Sequence, residues 1–243
     1  MSRPDVVPRA EWLVQRKALL EKEKQLTRLR DELSHERQRL PWVALDKPYV
    51  FDGPAGKVTL LDLFGDRSQL VIYHFMMGPG QKEGCPSCSL VCDHLNATLP
   101  HLAGRDLAFA AVSRAPIEEI SPFKARMGWR FPWVSSFGSD FNLDFQVSFS
   151  EEEVASGSGR YNYGDQGFPN QEAPGLSVFA RDEAGAVFHT YSTYARGAEP
   201  LLGVYQLLDL SPKGRDEQGL PWPMAWVRHH DRYEGKPECD TCC

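Results

Sequence analysis

No stretch of this sequence strings together the roughly 20 apolar residues that a membrane-spanning helix needs. Apolar runs such as Leu70-Val-Ile-Tyr-His-Phe-Met-Met77 stop well short, so no membrane partner is expected. Basic charge is in deficit: 27 Lys and Arg stand against 33 Asp and Glu, a formal net charge of -6. That excludes the basic footprint of a nucleic-acid-binding surface. The opening Met-Ser-Arg-Pro-Asp has no apolar core behind it, so no secretory signal is read and a cytoplasmic location is expected. Cysteine is scarce and clustered. The six fall in two groups, Cys85/Cys88/Cys92 and Cys239/Cys242/Cys243, whereas a stapled secreted domain spreads its cysteines along a short chain. Clustered thiols point to redox chemistry or metal instead. What remains is ordinary for a globular chain: 42% hydrophobic and 25% charged residues over 243 positions, enough for one large domain or a domain with an appendage.

Glycine and proline are absent from Arg9 to Gln38, a stretch rich in Glu, Lys, Leu and Arg between Pro8 and Pro41. It predicts one long helix. Trp12, Leu19, Leu26, Leu33 and Leu40 recur every seven residues, making one apolar stripe on a charged rod. The stripe fits a helix docked on its own domain, or a homodimer arm. The positions that would complete a coiled-coil seam, Arg16, Glu23, Arg30 and Arg37, are charged.

Downstream, Tyr49–Phe51 and Lys57–Leu60 flank a turn and read as a hairpin. Gln69–Met77 and Leu107–Ser113 read as buried strands, and Phe131–Ser136 as a shorter one. Between them lie helical stretches from Cys85 or Pro86 to Leu99, closed by Pro100, and from Ile117 to Met127. Strand–helix alternation implies parallel units. Residues 140–171 look like a Gly-, Ser- and Asn-rich insertion outside the core. Leu176–Ala180 and Ala186–Tyr191 form a second hairpin, followed by a helix over Glu199–Leu210. The expected organisation is an N-terminal helical extension over 1–45, an α/β domain over 46–212 and an irregular tail over 213–243.

The segment Gly84-Cys85-Pro86-Ser87-Cys88 follows a strand and opens a helix. A thiol at a helix N-terminus meets unpaired N–H groups and the positive end of the helix dipole, both of which favour thiolate. Pro86 suits the first turn, where its missing N–H costs nothing. Spacing of three puts both sulfurs on one helix face, within reach of a disulfide. Cys85 then reads as the exposed nucleophile and Cys88 as the resolving thiol. A zinc site is the other common use of CxxC, usually with a second CxxC. Glu83 would raise the Cys85 pKa and Lys82 lower it, so the net sign is not readable.

Several strings together resemble one bacterial family: Trp12-Leu13, Gly84-Cys-Pro-Ser-Cys-Ser89, Gly128-Trp-Arg-Phe-Pro-Trp133, His189-Thr-Tyr-Ser-Thr-Tyr194 and Gly219-Leu-Pro-Trp-Pro-Met-Ala-Trp226. This is the thioredoxin-like family called domain of unknown function 899, regarded as dithiol-disulfide oxidoreductases, and the resemblance runs from about Pro8 to Tyr233. It implies a thioredoxin-like fold with a central mixed sheet flanked by helices. It also implies thiol–disulfide exchange on an unknown protein or small-molecule disulfide, with no cofactor beyond the redox-active disulfide. In thioredoxin-like folds a cis proline faces the dithiol. The resemblance nominates Pro174, preceded by Ala173, which with Pro86 and Ser87 would border the substrate; a plain loop proline starting a strand is the other reading.

Cys92 lies on the same helix face as the pair. It is either a small buried residue or a third thiol. Cys88, Cys92 and the distant His189 also resemble the copper ligands of copper-delivering thioredoxin-like proteins, which makes a metal site the alternative function. A peroxiredoxin pattern, P-x3-[TS]-x2-C, is not met: Lys82 and Gly78 stand at its Thr/Ser and Pro positions before Cys85, Cys85 and Gln81 before Cys88, and before Cys92 Ser89 fits but Cys85 takes the proline position. His74 reads as a hydrogen-bonded core residue or as a tuner of the dithiol. His94 reads as a surface residue. His229 and His230, between Arg228 and Arg232, read as a solvated patch. The terminal Cys239-Asp-Thr-Cys242-Cys243 is either idle or an electron shuttle.

Overall fold

The computed structural model describes residues 4–164 and 167–234. It divides into two compact units, one ending at Trp42 and one beginning at Val43. The first is built on α1 (Arg9–Gln38), with Pro8 at its N-cap position and no residue buried. At 1.5 Å per residue it is a rod of about 45 Å. An Arg16–Glu23 ion pair of 2.8 Å spans two turns along the charged row.

The second unit is organised by one sheet. Its strands are β1 (Val43–Ala44), β2 (Val50–Gly53), β3 (Gly56–Thr59), β4 (Gln69–His74), β5 (Leu107–Ser113), β6 (Trp133–Ser135), β7 (Gly175–Arg181) and β8 (Val187–Tyr194). They lie in the order β1-β8-β7-β4-β5-β6-β2-β3. Because β1 pairs with β8, the boundary falls at Trp42 rather than at residue 45. β4 runs parallel to β5 and antiparallel to β7, and β5 runs parallel to β6. With a CxxC and a helix following β4, this is a thioredoxin-like fold.

Helix α2 (Pro86–Ala103) joins β4 to β5, and α3 (Ile117–Arg126) joins β5 to β6. Two crossovers of one hand that step the same way across a sheet lay both helices on one face. There Cys88, Val91, Cys92, Ile120 and Phe123 pack with Tyr73, Phe75, Phe109 and Trp133. The alternating residues Leu70, Ile72, Ala110 and Val112 face the other side, with Phe51, Phe64 and Phe179, as a period of two requires. Trp133 is fully buried, and its Nε1–H donates to Ser113 Oγ at 3.0 Å. Ser113 in turn donates to the Phe75 carbonyl at 2.8 Å, so the polar atom of this large apolar ring is satisfied.

Three expectations need correction. Pro100 lies inside α2, which continues to Ala103; so near the C-terminal end its missing N–H removes a single helical bond. The 140–171 segment is not peripheral. It holds α4 (Phe141–Asp144) and α5 (Glu151–Ser156), the latter started by a Ser150/Glu153 capping box. Its Phe141, Phe145, Val147, Phe149 and Tyr161 are buried in the second core cluster. The final helix is shorter than expected: Ala195–Leu201 is a 3-10 stretch, and α6 begins only at Gly203 and ends at Leu210. The following segment to residue 234 packs on the domain, with Val227 and His229 buried.

Candidate active site

Past β4 the chain leaves the sheet at Gly78, turns through Gly80, which needs its left-handed φ of 82°, and returns at Cys85. There the Cys85 N–H donates to the Met76 carbonyl at 3.1 Å. Cys85 is the N-cap residue of α2, with extended φ/ψ of -57° and 129°, and Pro86 follows in the first turn. Its carbonyl accepts from both the N–H and the hydroxyl of Ser89, each at 2.9 Å. The first turn therefore presents unpaired N–H groups to the Cys85 sulfur.

All three cysteines of the cluster are free thiols; Cys85 is half-buried, Cys88 and Cys92 buried. The Cys85 thiol is pulled down to about 6. The largest cause is a hydrogen bond from Cys88. The backbone N–H groups of Cys88 and Ser87 and the Ser87 hydroxyl add to it, and burial opposes them. Burial, and then the neighbouring Cys85, push Cys88 well up. Burial also raises Cys92. The pair thus divides into one acidic, accessible sulfur and one protonated, hidden sulfur.

Tyr73 completes this arrangement. It is fully buried on the α2 face of β4, its hydroxyl hydrogen-bonds Cys88, and burial raises its pKa far above the usual value. The sequence signal for it was the strand period, which turns odd-numbered residues of β4 toward α2.

Cys85 and Cys88 open on a cavity of about 660 Å³. Tyr73, Met76 and Val91 line its floor, and Pro174, Leu202 and Met224 its walls. Pro174 and Ser87 reach this space, whereas Pro86 is exposed. Ala173 is buried in the second core cluster, its N–H donating to the Val147 carbonyl at 2.8 Å. Among the described residues no peptide bond is cis, so Pro174 is trans, contrary to what the resemblance implies. The extended run across Glu172–Pro174 is fixed by the Ser148–Glu172 bridge and by Tyr161, whose hydroxyl donates to the Pro174 carbonyl at 2.6 Å.

The histidines separate by face. His74 is offset by one residue from Tyr73, so it points away from the dithiol. Its Nε2 shares a 2.8 Å hydrogen bond with Ser177 Oγ, and burial pushes its imidazole down to about 3. His189 packs against Phe145 and Phe179 on that same side. It therefore does not join Cys88 and Cys92, and among the described residues no group of three or more His, Cys, Asp or Glu could hold a metal ion. His94 links elements instead: its Nδ1 donates to the Leu90 carbonyl at 2.7 Å and its Nε2 accepts from the Val204 N–H at 3.1 Å.

His229 is not solvated. It is buried against Phe123. Arg126 Nη2 donates to its Nδ1 at 2.8 Å. A guanidinium can only donate, so Nε2 carries the proton, and it donates to the Gly84 carbonyl at 2.9 Å. Beside it, Glu83 is held by Arg126 and Arg232, which keep its carboxyl below the usual range although its partial burial works against them. This resolves the opposing Lys82 and Glu83: the Glu83 charge is neutralised by two arginines. His230 is exposed and pairs with Asp93 at 2.8 Å. Cys239, Cys242 and Cys243 lie outside the described residues.

A family model described as bacterial protein of unknown function (DUF899) matches residues 1–233. No curated protein matches the chain. Among solved structures, peroxidoxin BcpB from Mycobacterium tuberculosis is similar at 12% identity and a TM-score of 0.46, covering 69% of this chain and 97% of that one. Peroxiredoxin Q of Xanthomonas campestris is similar at 20% identity and a TM-score of 0.44, with 71% and 96% covered. The mitochondrial 2-Cys peroxiredoxin of Plasmodium falciparum is similar at 13% identity and a TM-score of 0.40, with 69% and 92% covered. Among the described residues no helix is long and apolar enough to cross a membrane.

Proposed function

We propose that this chain, which belongs to the bacterial family of unknown function DUF899, is a thiol–disulfide oxidoreductase working through Cys85 and Cys88. The observation that carries the reading is the placement of two free thiols, Cys85 at the N-cap of α2 and half-buried, Cys88 buried one turn on, both lining one cavity. With a pKa of about 6, Cys85 is mostly thiolate at neutral pH, and thiolate is the nucleophile. Cys88 keeps its proton and stays hidden until a mixed disulfide forms.

In the forward direction the Cys85 thiolate attacks one sulfur of the substrate disulfide, and the other leaves as thiolate. Cys88 then loses its proton to the departing base and attacks Cys85 Sγ, which expels the second thiolate. Two electrons pass from the pair to the substrate, and the pair is left as a disulfide. Pro174 and Ser87 border the reacting sulfurs, and Pro86 sets the first turn of α2.

Cys85→Ser and Cys88→Ser variants test this against a chromogenic aromatic disulfide. Cys85→Ser loses turnover, and Cys88→Ser accumulates a mixed disulfide on Cys85, seen by intact-mass spectrometry. Unchanged turnover in both variants would overturn the proposal.

A further inference from the structure

The far side of the cavity is built by the segments after β8, and its cations are held by neighbouring carboxylates. Arg215 pairs with Glu199 and Asp209 and stacks 4.2 Å over the Tyr205 ring. Arg196 pairs with Glu199 at 2.9 Å. Glu217 accepts from the Tyr205 hydroxyl at 2.5 Å, the Met224 N–H at 2.9 Å and Trp226 Nε1 at 2.8 Å. Both arginines are paired with carboxylates and Glu217 accepts only from neutral donors, so this wall carries no surplus cation for an anionic disulfide, and the remaining lining is apolar. Such a lining takes an apolar body with few polar anchors.

The edge beside Pro174 offers a peptide little free backbone as well. Strand addition needs free backbone donors and acceptors. Here the Ala173 N–H is spent on Val147 and the Pro174 carbonyl on Tyr161. The Tyr161 hydroxyl also accepts from the Ala195 N–H at 2.8 Å, tying that edge to the opposite wall of the cavity.

Building on the dithiol reading above, we infer that the Cys85–Cys88 pair acts on a small, uncharged, largely apolar disulfide that enters this cavity, and not on a protein disulfide. Exchange consumes one such disulfide, releases two thiols and leaves the Cys85–Cys88 disulfide. A low-molecular-weight dithiol, itself oxidised to its disulfide, returns the pair to thiols.

Stopped-flow exchange of the reduced full chain with three probes tests this: 4,4′-dithiodipyridine, oxidised glutathione and disulfide-bonded insulin. Each rate is divided by that of the same probe with a free low-molecular-weight thiolate, which removes intrinsic reactivity. We expect the neutral probe to exceed the other two by at least 100-fold after this correction. Ala198→Trp, at the rim of the cavity, should slow it at least tenfold without moving the pH midpoint of Cys85 alkylation. Equal or faster corrected rates with glutathione disulfide or insulin would overturn the substrate assignment and leave the dithiol reading standing. Failure to exchange with any probe, while Cys85 still alkylates, would sink both. The probe comparison on the unmodified chain stands whether or not the tryptophan variant folds.

Discussion

His229 Nε2 donates to the carbonyl of Gly84 at 2.9 Å, the oxygen of the peptide bond that leads into Cys85. A residue 144 positions downstream of Cys85 thus fixes the loop that carries it. His229→Ala leaves a buried carbonyl unpaired, which costs about 1–3 kcal/mol and should lower Tm. The Cys85 sulfur should also lose its alignment on the first-turn N–H groups, so the midpoint of its pH-dependent alkylation should rise. His229→Gln, which keeps a donor, should restore the midpoint in part. A purely structural role would lower Tm and leave the midpoint where it was.

Gly84 has no room for a side chain. A Cβ there would run into the Phe75 ring and approach Phe123 at 3.0 Å. Phe75 cannot yield, because Trp133 lies 4.5 Å away and Trp129 5.8 Å away, centroid to centroid. Gly84→Ala should cost about 1–3 kcal/mol by overpacking, read as a lower urea midpoint with unchanged slope. A neutral result would show that the loop before Cys85 is looser than this packing requires.

His74 gives the protein an acid-sensitive core. Its folded pKa of about 3 lies below the value of about 6.5 expected of an unfolded histidine. Between those values the unfolded chain binds a proton that the folded chain refuses, so this contribution to stability falls as pH drops. The slope approaches about 1.4 kcal/mol per pH unit. Urea denaturation from pH 7 to pH 4 should show it, and His74→Asn should flatten that limb while being less stable at pH 7. An equal slope in both proteins would refute the assignment.

Local signals carried the framework. Gly84–Cys88 between an apolar run and a helix placed Cys85 at the start of α2, and the lengths of α1, β5 and α3 follow from propensity and punctuation. What sequence concealed was long-range. The aromatics of 141–161 sit among Gly and Ser, so local composition suggests a loop; their burial depends on the far face of the sheet. His229 lies in a charged, irregular string and is buried only because Arg126 and Gly84 meet it from elements far upstream. Tyr73 was within reach of a strict strand-period argument, since it alternates with Ile72 and His74. The same period turns His74 away from the cysteines, whereas His189, which the likeness to copper-delivering proteins had joined to Cys88 and Cys92, is separated from them by its packing against Phe145 and Phe179.

The central claim is that one sulfur, Cys85, is ionised at neutral pH while its neighbour is not. Site-resolved iodoacetamide labelling of the reduced full chain, followed by peptide mass spectrometry from pH 4 to pH 10, tests it directly. The account predicts that Cys85 labels first with a midpoint near pH 6, and that Cys88 stays unlabelled through neutral pH. A Cys85 midpoint near the free-thiol value of about 8.5, or faster labelling of Cys88, would contradict it.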